Sequence, residues 1–233
     1  MIIVVALLGY MGALRPALCG SAHRGATRRW WRGRRYAHRG EEHALGRGSP
    51  ETALGAPRSS GGLETGYSRE EFPHWSDAEE FGWKLPSGTP DPESCDARDA
   101  ALIRDGKGER VEEFCDVVSG EWFDPYGSQT YTDPEDVDID HVVPLANAWR
   151  SGASSWDTAK SESFANVPRD LLSVDDGLNQ SKGDKGPEAW KPPRKAYWCV
   201  YSKKWIAIKH YWKLSVTSAE KSALKQMLGT CGD

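Results

Sequence analysis

The chain has no hydrophobic run long enough to cross a membrane, although it contains 233 residues. Its main apolar stretch, residues 2–14, covers thirteen residues, whereas a transmembrane helix needs about 20. Hydrophobic residues make up only 38% of the sequence. This composition excludes a multi-span membrane protein, and we expect no stable association with a membrane. Eleven tryptophans and eight tyrosines indicate a packed core rather than a fully disordered chain.

Lysine is absent from residues 1–70, where eleven arginines and five glutamates give a net charge of +6. Residues 71–233 instead hold 19 lysines and arginines against 29 aspartates and glutamates, a net charge of −10. The overall charge of −4 therefore averages two unlike segments. We place a boundary near residue 70 and interpret the two segments separately.

The first segment has the features of an exported tail. Residues 2–14 fit the apolar core of a secretory signal, so we interpret residues 1–22 as a signal peptide. Residues 24–39 contain seven arginines around Trp30 and Trp31, a composition that could contact phosphates and bases. We favour the simpler interpretation of residues 23–70 as a disordered Arg/Gly-rich linker or propeptide, because low-complexity segments are usually solvated.

The second segment predicts an α+β fold that is mainly helical. Helical patterns cover residues 96–104, 145–150, 156–164, 175–182 and 197–212, and a capping box at Thr217 and Glu220 starts a last helix that stops at Gly229. Strand-like segments cover residues 114–118, 121–123, 137–141 and 171–174. The Ser119-Gly120 pair predicts a hairpin turn between the first two strands.

No pair of cysteines has the Cys-x-x-Cys spacing, which argues against a zinc site. The segment has an even number of cysteines, namely Cys95, Cys115, Cys199 and Cys231. In an exported domain this number predicts two disulfides with three possible connectivities. Proximity in sequence favours the pairs Cys95–Cys115 and Cys199–Cys231.

Histidine is also scarce beyond residue 70, and one of its three copies follows a run of alternating carboxylates. Asp136, Asp138 and Asp140 share one face if residues 136–140 form a strand. Three carboxylates on one face repel each other unless a cation or a basic group neutralises them. His141 follows directly, and a neutral imidazole can take a proton from water. Both Asp140 and His141 can serve one site if the strand ends there, which Val143-Pro144 permits.

A second polar cluster lies at residues 179–185. Asn179 and Lys182 share a face if this segment is helical. Amide and carboxylate oxygens suit Mg²⁺ or another divalent cation, and Lys182 would then face a phosphate. Further basic residues adjoin the cluster, at Lys185, Lys191, Arg194 and Lys195. We interpret them as phosphate contacts, with a solvated helix face as the alternative.

The ordered set of these motifs resembles the HNH (ββα-metal) nucleases, in particular the exported branch with the Asp-His-Val-Val-Pro-Leu signature. This chain has that signature at residues 140–145, followed by Asn166 and by Asn-x-x-Lys-Gly-Asp at residues 179–184. Residues 124–127 and 190–193 also resemble that branch, so the resemblance covers about residues 94–231. It implies a small ββα-metal motif within a nuclease domain at residues 71–233.

The resemblance also implies roles for single residues. His141 would be the general base, Asn166 would brace the loop that carries it, and Lys182 or Arg150 would steady negative charge on the phosphate. Asp140 and Asn179 would bind the metal, with Asp184 as an alternative ligand because 38 positions separate His141 from Asn179. Arg150 and Lys185 would contact the substrate.

We therefore expect a secreted, monomeric, metal-dependent endonuclease that acts on DNA or RNA. Two alternatives stay open at this point. One is a disulfide-stapled module that binds nucleic acid or a protein partner without catalysis. The other is a metal-dependent phosphoesterase for a substrate that is not a nucleic acid. A cleavage assay with the His141→Ala variant separates the enzyme from the binding module.

Overall fold

Four of the six α-helices in the described residues begin after a residue whose side chain caps them. A computed structural model of the protein describes residues 65–232. The predicted signal peptide and most of the predicted linker lie outside the described residues. Within them the α-helices are α1 (Ala97–Asp105), α2 (Leu145–Arg150), α3 (Thr158–Asn166), α4 (Asp176–Lys182), α5 (Trp198–Trp212) and α6 (Ser218–Leu228).

Capping explains the bounds of the first and last helices. The Asp96 carboxylate accepts hydrogen bonds from the backbone N–H groups of Arg98 and Asp99, and α1 ends at Gly106. Thr217 and Glu220 form the predicted capping box at the start of α6, which ends at Gly229. The helices predicted at both positions are confirmed.

The described strands form three separate two-stranded antiparallel sheets. They are β1 (Arg110–Val111) with β2 (Val117–Ser119), β3 (Trp122–Phe123) with β4 (Thr130–Tyr131), and β5 (Val137–His141) with β6 (Leu171–Asp175). The observed class is therefore a mixture of helices and small antiparallel sheets, in agreement with the predicted α+β class.

The predicted hairpin around Ser119-Gly120 is wrong. The strand before this turn pairs with β1 and the strand after it pairs with β4. Phe114 and Cys115, predicted as part of a strand, lie in a turn with φ of 61° at both residues. The Trp122 indole is buried and donates to the carbonyl of Leu102, so contact with α1 directs β3 away from β2.

The β5–β6 pair positions the functional residues. It runs in unbroken register from Val137 opposite Asp175 to His141 opposite Leu171. Helix α4 follows β6 directly and packs against both strands. Asp136 precedes β5 in a short 3₁₀ turn, so it does not share the strand face predicted for it with Asp138 and Asp140.

Two hydrophobic clusters lie on either side of this strand pair. The smaller one surrounds α1 and Trp122 and receives Val137 and Ile139 from β5. The larger one lies under α5 and α6, and its largest buried side chains are Phe72, Tyr126, Phe164, Tyr201 and Trp205. Since each cluster takes side chains from the strands, β5 and β6 are fixed from both sides.

Both predicted disulfide pairs are present in the structure. Cys95–Cys115 has a Cα–Cα distance of 5.1 Å and lies beside α1. Cys199–Cys231 has a Cα–Cα distance of 5.0 Å and joins α5 to the segment after α6.

No helix in residues 65–232 has the length and apolar character that a bilayer crossing requires.

Packing begins before residue 71, where the sequence boundary was placed. The ring of Tyr67 lies 6.4 Å from that of Phe72 and 6.1 Å from that of Trp149. Phe72 is fully buried in the larger cluster. The segment before residue 71 therefore contacts the larger cluster through Tyr67.

Candidate active site

A cavity of about 580 Å³ lies at the end of β5, next to α4. Residues with polar or charged side chains form much of its lining, among them Arg69, Asp140, His141, Arg150, Asn179 and Asp184. Five of these six residues were singled out from the sequence. The end of β5 at His141 brings adjacent side chains to the same cavity, as the sequence predicts.

The carboxylate of Asp140 is held by two donors beneath the cavity. The Lys182 ammonium donates to Oδ1 at 2.7 Å, and the Tyr126 hydroxyl donates to Oδ2 at 2.6 Å. Lys182 also donates to the backbone carbonyl of His141 at 2.9 Å. One lysine of α4 thus fixes both the carboxylate and the strand end that carries the imidazole.

This ion pair is buried on both sides. Side-chain exposure is 0% for Lys182 and 4% for Asp140. Burial raises the pKa of the Asp140 carboxyl and lowers that of the Lys182 amine, while their attraction opposes both changes. The basic group needed to offset the carboxylate run is therefore Lys182. Because its amine is fully buried, this structure does not place Lys182 against a phosphate, contrary to the sequence interpretation.

The imidazole of His141 is fixed in one tautomer. Its Nε2 lies 2.9 Å from the carbonyl oxygen of Ala165. Since a carbonyl oxygen only accepts, Nε2 carries the hydrogen and Nδ1 has the lone pair of the neutral ring. Burial lowers the pKa of His141 to about 3, against the opposing effect of the hydrogen bond to Ala165. The ring is therefore neutral at pH 7.

Asn166 holds a loop beside this imidazole. Its side-chain oxygen accepts from the backbone N–H of Ser76 at 2.9 Å, and its amide nitrogen donates to the carbonyl of Pro73 at 2.9 Å. These bonds frame Trp75, whose ring centroid lies 6.0 Å from that of His141. Asn166 is fully buried and is absent from the cavity lining, so it contacts the loop rather than the cavity.

Asn179 faces β5 from α4. Its amide nitrogen donates to Oδ2 of Asp138 at 3.0 Å, which leaves the amide oxygen as the atom able to coordinate a cation. Asn179 and Lys182 thus share the helix face that the sequence predicts, and each contacts one carboxylate of the strand. Among residues 65–232, no group of three or more His, Cys, Asp and Glu residues is placed to hold a metal ion.

Arg150 and Asp184 meet at the cavity as a pair. The Arg150 guanidinium donates to Oδ2 of Asp184 at 2.7 Å and to its backbone carbonyl at 2.8 Å. This bond lowers the pKa of Asp184. Lys185 is exposed and donates to the carbonyl of Ser181, and it does not line the cavity. The predicted alternative metal ligand therefore already has a cationic partner.

Three contributors to the site carried no assigned role in the sequence. Tyr126 lies within a turn in which the Asp124 carboxylate accepts from the N–H groups of Tyr126 and Gly127. The Asp-Pro-Tyr-Gly segment was the signal for this turn. Arg69 and Trp75 precede every chemical motif in the chain, and no local pattern marks them.

Comparison with known proteins gives the class of protein. The profile of a family described as "GmrSD restriction endonucleases, C-terminal domain" matches residues 98–227. The chain belongs to this family, and the nuclease family inferred from the sequence motifs is confirmed.

One relative extends the comparison beyond the family profile. The chain is 52% identical over 172 residues to an "Uncharacterized secreted protein" of Arthroderma benhamiae. The aligned part covers 73% of this chain and 78% of that relative. No solved structure matches the chain at a comparable level of significance.

Proposed function

We propose that the protein is an exported, metal-dependent endonuclease of the HNH type that hydrolyses phosphodiester bonds of DNA or RNA. The observation that carries this proposal is the orientation of His141. Its Nε2–H is bound to the Ala165 carbonyl, so the basic nitrogen is Nδ1, on a residue that lines the cavity. The family match supports the same chemistry.

In the reaction, Nδ1 of His141 would accept the proton of the water that attacks phosphorus. The strand end keeps the ring in place because Lys182 binds the backbone carbonyl of His141. The Trp75 ring lies beside the imidazole, with a centroid distance of 6.0 Å. The low pKa of His141 keeps the base unprotonated at neutral pH.

The oxygen donors around the cavity fit a hard cation such as Mg²⁺, which binds few protein groups and keeps several waters. The amide oxygen of Asn179 is available because its nitrogen is the atom bound to Asp138. Each Asp140 oxygen accepts one hydrogen bond and retains a second lone pair. Asp140 and Asn179 would hold the ion, with Asp184 as the alternative. When bound, the ion would polarise the phosphate and stabilise the leaving oxygen.

Contacts with the nucleic acid would come from the cavity edge. Arg150 is fixed by Asp184 and would share its guanidinium with a phosphate of the substrate. Lys185 is exposed next to the same helix end and would add a solvent-side contact. Lys182 would act through Asp140 and His141, because it has no exposed surface.

Two observations support export of the protein. Disulfides persist mainly in oxidising compartments, and this fold contains two. The Arthroderma relative is described as secreted. We extend that localisation to this chain as part of the proposal, and we expect a monomer.

The test is cleavage of supercoiled plasmid and of a structured RNA by the full chain with Mg²⁺. We expect nicking that EDTA abolishes and that His141→Ala lowers by at least about 10²-fold, the usual contribution of a general base. The matched control is His210→Ala, because His210 is exposed on α5 and lies outside the cavity. It should leave the rate unchanged.

The outcomes distinguish the three interpretations of the sequence. Intact plasmid and RNA with retained binding would support the non-catalytic module. Hydrolysis of small phosphodiesters alone would support a phosphoesterase with another substrate. Cleavage that persists in both EDTA and His141→Ala would refute the proposed mechanism.

A further inference from the structure

Among the residues that the structure describes, one cation that lines the cavity has no carboxylate within ion-pair distance. Lys182 is paired with Asp140 at 2.7 Å, and Arg150 is paired with Asp184 at 2.7 Å. Arg69 also lines the cavity, and no carboxylate lies within ion-pair distance of it in the part of the chain that the structure describes. Among the described residues, Arg69 is therefore the cavity-lining cation that no carboxylate pairs with.

Arg69 is held by a neutral partner. Its Nε donates to Nε2 of His74 at 3.0 Å, and Nδ1 of the same ring lies 2.9 Å from the carbonyl oxygen of Phe72. Because that carbonyl only accepts, Nδ1 carries the hydrogen, so Nε2 accepts and the ring is neutral. Only Nε of the guanidinium is used in this bond. The two terminal nitrogens have the fork geometry that binds two oxygens of a phosphate.

The segment that carries Arg69 is anchored rather than loosely attached. Tyr67 and Phe72 pack in the larger cluster. Asn166 holds Ser76 and Pro73 through the hydrogen bonds described above. Trp75, between Pro73 and Ser76 in the chain, has φ of 61°, a left-handed value that is uncommon outside glycine. A residue keeps such a conformation only where surrounding contacts impose it. Tyr67 and Arg69 line the cavity, and we call the anchored segment that carries them, residues 67–76, the cavity wall.

We propose that Arg69 binds a phosphate of the nucleic-acid substrate and that residues 67–76 are part of the active site. This wall lies upstream of residues 98–227, which the family profile matches. Arg69 therefore adds to the site a cation from outside the matched range. The inference rests on the proposed function and names a further substrate-binding residue of the same site.

The experiment measures binding and cleavage in the full chain. Binding of a fluorescein-labelled DNA oligonucleotide is followed by anisotropy in the His141→Ala background, which is not expected to cut it, at several salt concentrations. Arg69→Gln should raise Kd about tenfold and lower the slope of log Kd against log salt by about 0.7 to 0.9, the effect of losing one phosphate contact. Arg69→Lys should keep the slope and lose part of the affinity.

Two controls isolate the effect of this guanidinium. Arg110→Gln removes an exposed arginine that is paired with Glu112 outside the cavity, and it should leave both Kd and the slope unchanged. Residues upstream of the cavity wall are identical in all variants, so their contribution to the slope cancels. Thermal melting identifies any variant that does not fold, and Arg69→Lys retains the test in that case.

The results separate this inference from the proposed function. One outcome is an active wild type whose KM and salt slope equal those of Arg69→Gln. Arg69 is then not a phosphate contact, while the endonuclease proposal is retained. If the wild type cuts nothing but Arg69→Gln still lowers the slope, the phosphate site stands and the endonuclease proposal fails.

Discussion

Asp140 on β5 and Lys182 on α4, 42 residues apart in sequence, form a buried ion pair with an N–O distance of 2.7 Å. The same ammonium binds the backbone carbonyl of His141. The pair therefore links the helix to the strand end at which the proposed base stands. A lysine that the sequence suggests as a phosphate contact instead holds the site together.

Lys182→Met leaves the Asp140 carboxylate buried without its cation. Such a loss costs about 3–5 kcal/mol, so we expect a decrease of that size in the free energy of unfolding, measured by urea denaturation. Lys84→Met, at an exposed position, is the control and should change it by less than about 0.5 kcal/mol. The double variant Asp140→Asn/Lys182→Met should recover part of the loss, and a double variant as unstable as the single one would contradict this account.

Asn166→Ala removes the side chain that holds the loop at residues 73–76. Three hydrogen bonds are lost, to Ser76, Pro73 and Glu162. We expect a loss of about 2–4 kcal/mol in unfolding free energy, since the Ser76 N–H is left without its acceptor. Activity should fall as well, because Trp75 loses its support beside His141. Full stability in this variant would show that the loop is held by other contacts.

The activity of the proposed nuclease should persist in mild acid. Burial lowers the pKa of His141 to about 3, so the ring stays neutral as the pH falls from 8 to 5. The profile of kcat/KM against pH should therefore show no acid limb at the usual histidine value of about 6.5. The result that would contradict this is an acid limb near pH 6.5 in the wild type that is absent from the residual activity of His141→Ala. It would indicate that the imidazole is exposed to water rather than buried.

Asp170 gives a separate prediction for stability. Burial raises its pKa to about 8 from 3.8, although the bond from the Trp212 indole opposes this. Between these values the folded state holds a proton that the unfolded state has lost. The stabilisation is fully present below about pH 4 and is lost as the pH rises through 8, at up to about 1.4 kcal/mol per pH unit.

Asp170→Asn removes this titration and keeps an oxygen that can accept from Trp212. Denaturation at several pH values should show a flatter pH dependence of the unfolding free energy for the variant than for the wild type. The difference between the two slopes of unfolding free energy against pH should be largest between about pH 5 and pH 8. Parallel curves for the two proteins would mean that Asp170 is ionised in the folded state.

Local features of the fold could be predicted because short-range chemistry determines them. The Asp138-Ile139-Asp140 alternation gave β5, and the capping residues Thr217 and Glu220 gave the start of α6. The hairpin at Ser119-Gly120 was wrong because partner strands come from elsewhere in the chain. The partner of a strand depends on the tertiary packing of its side chains, and the sequence of the adjoining turn does not determine this packing.

The sequence by itself determined the membership of a nuclease family and the place of His141 at a strand end, since both follow from residue order. It favoured the two disulfide pairs through their spacing, and the structure selected them from three connectivities. Only the tertiary structure decided that Lys182 pairs with Asp140, that Arg150 pairs with Asp184 and that Asn166 holds the loop of Trp75. These contacts join side chains 34 to 93 residues apart. Hydrophobic packing on both sides of β5 and β6 sets those distances, and no local pattern records it.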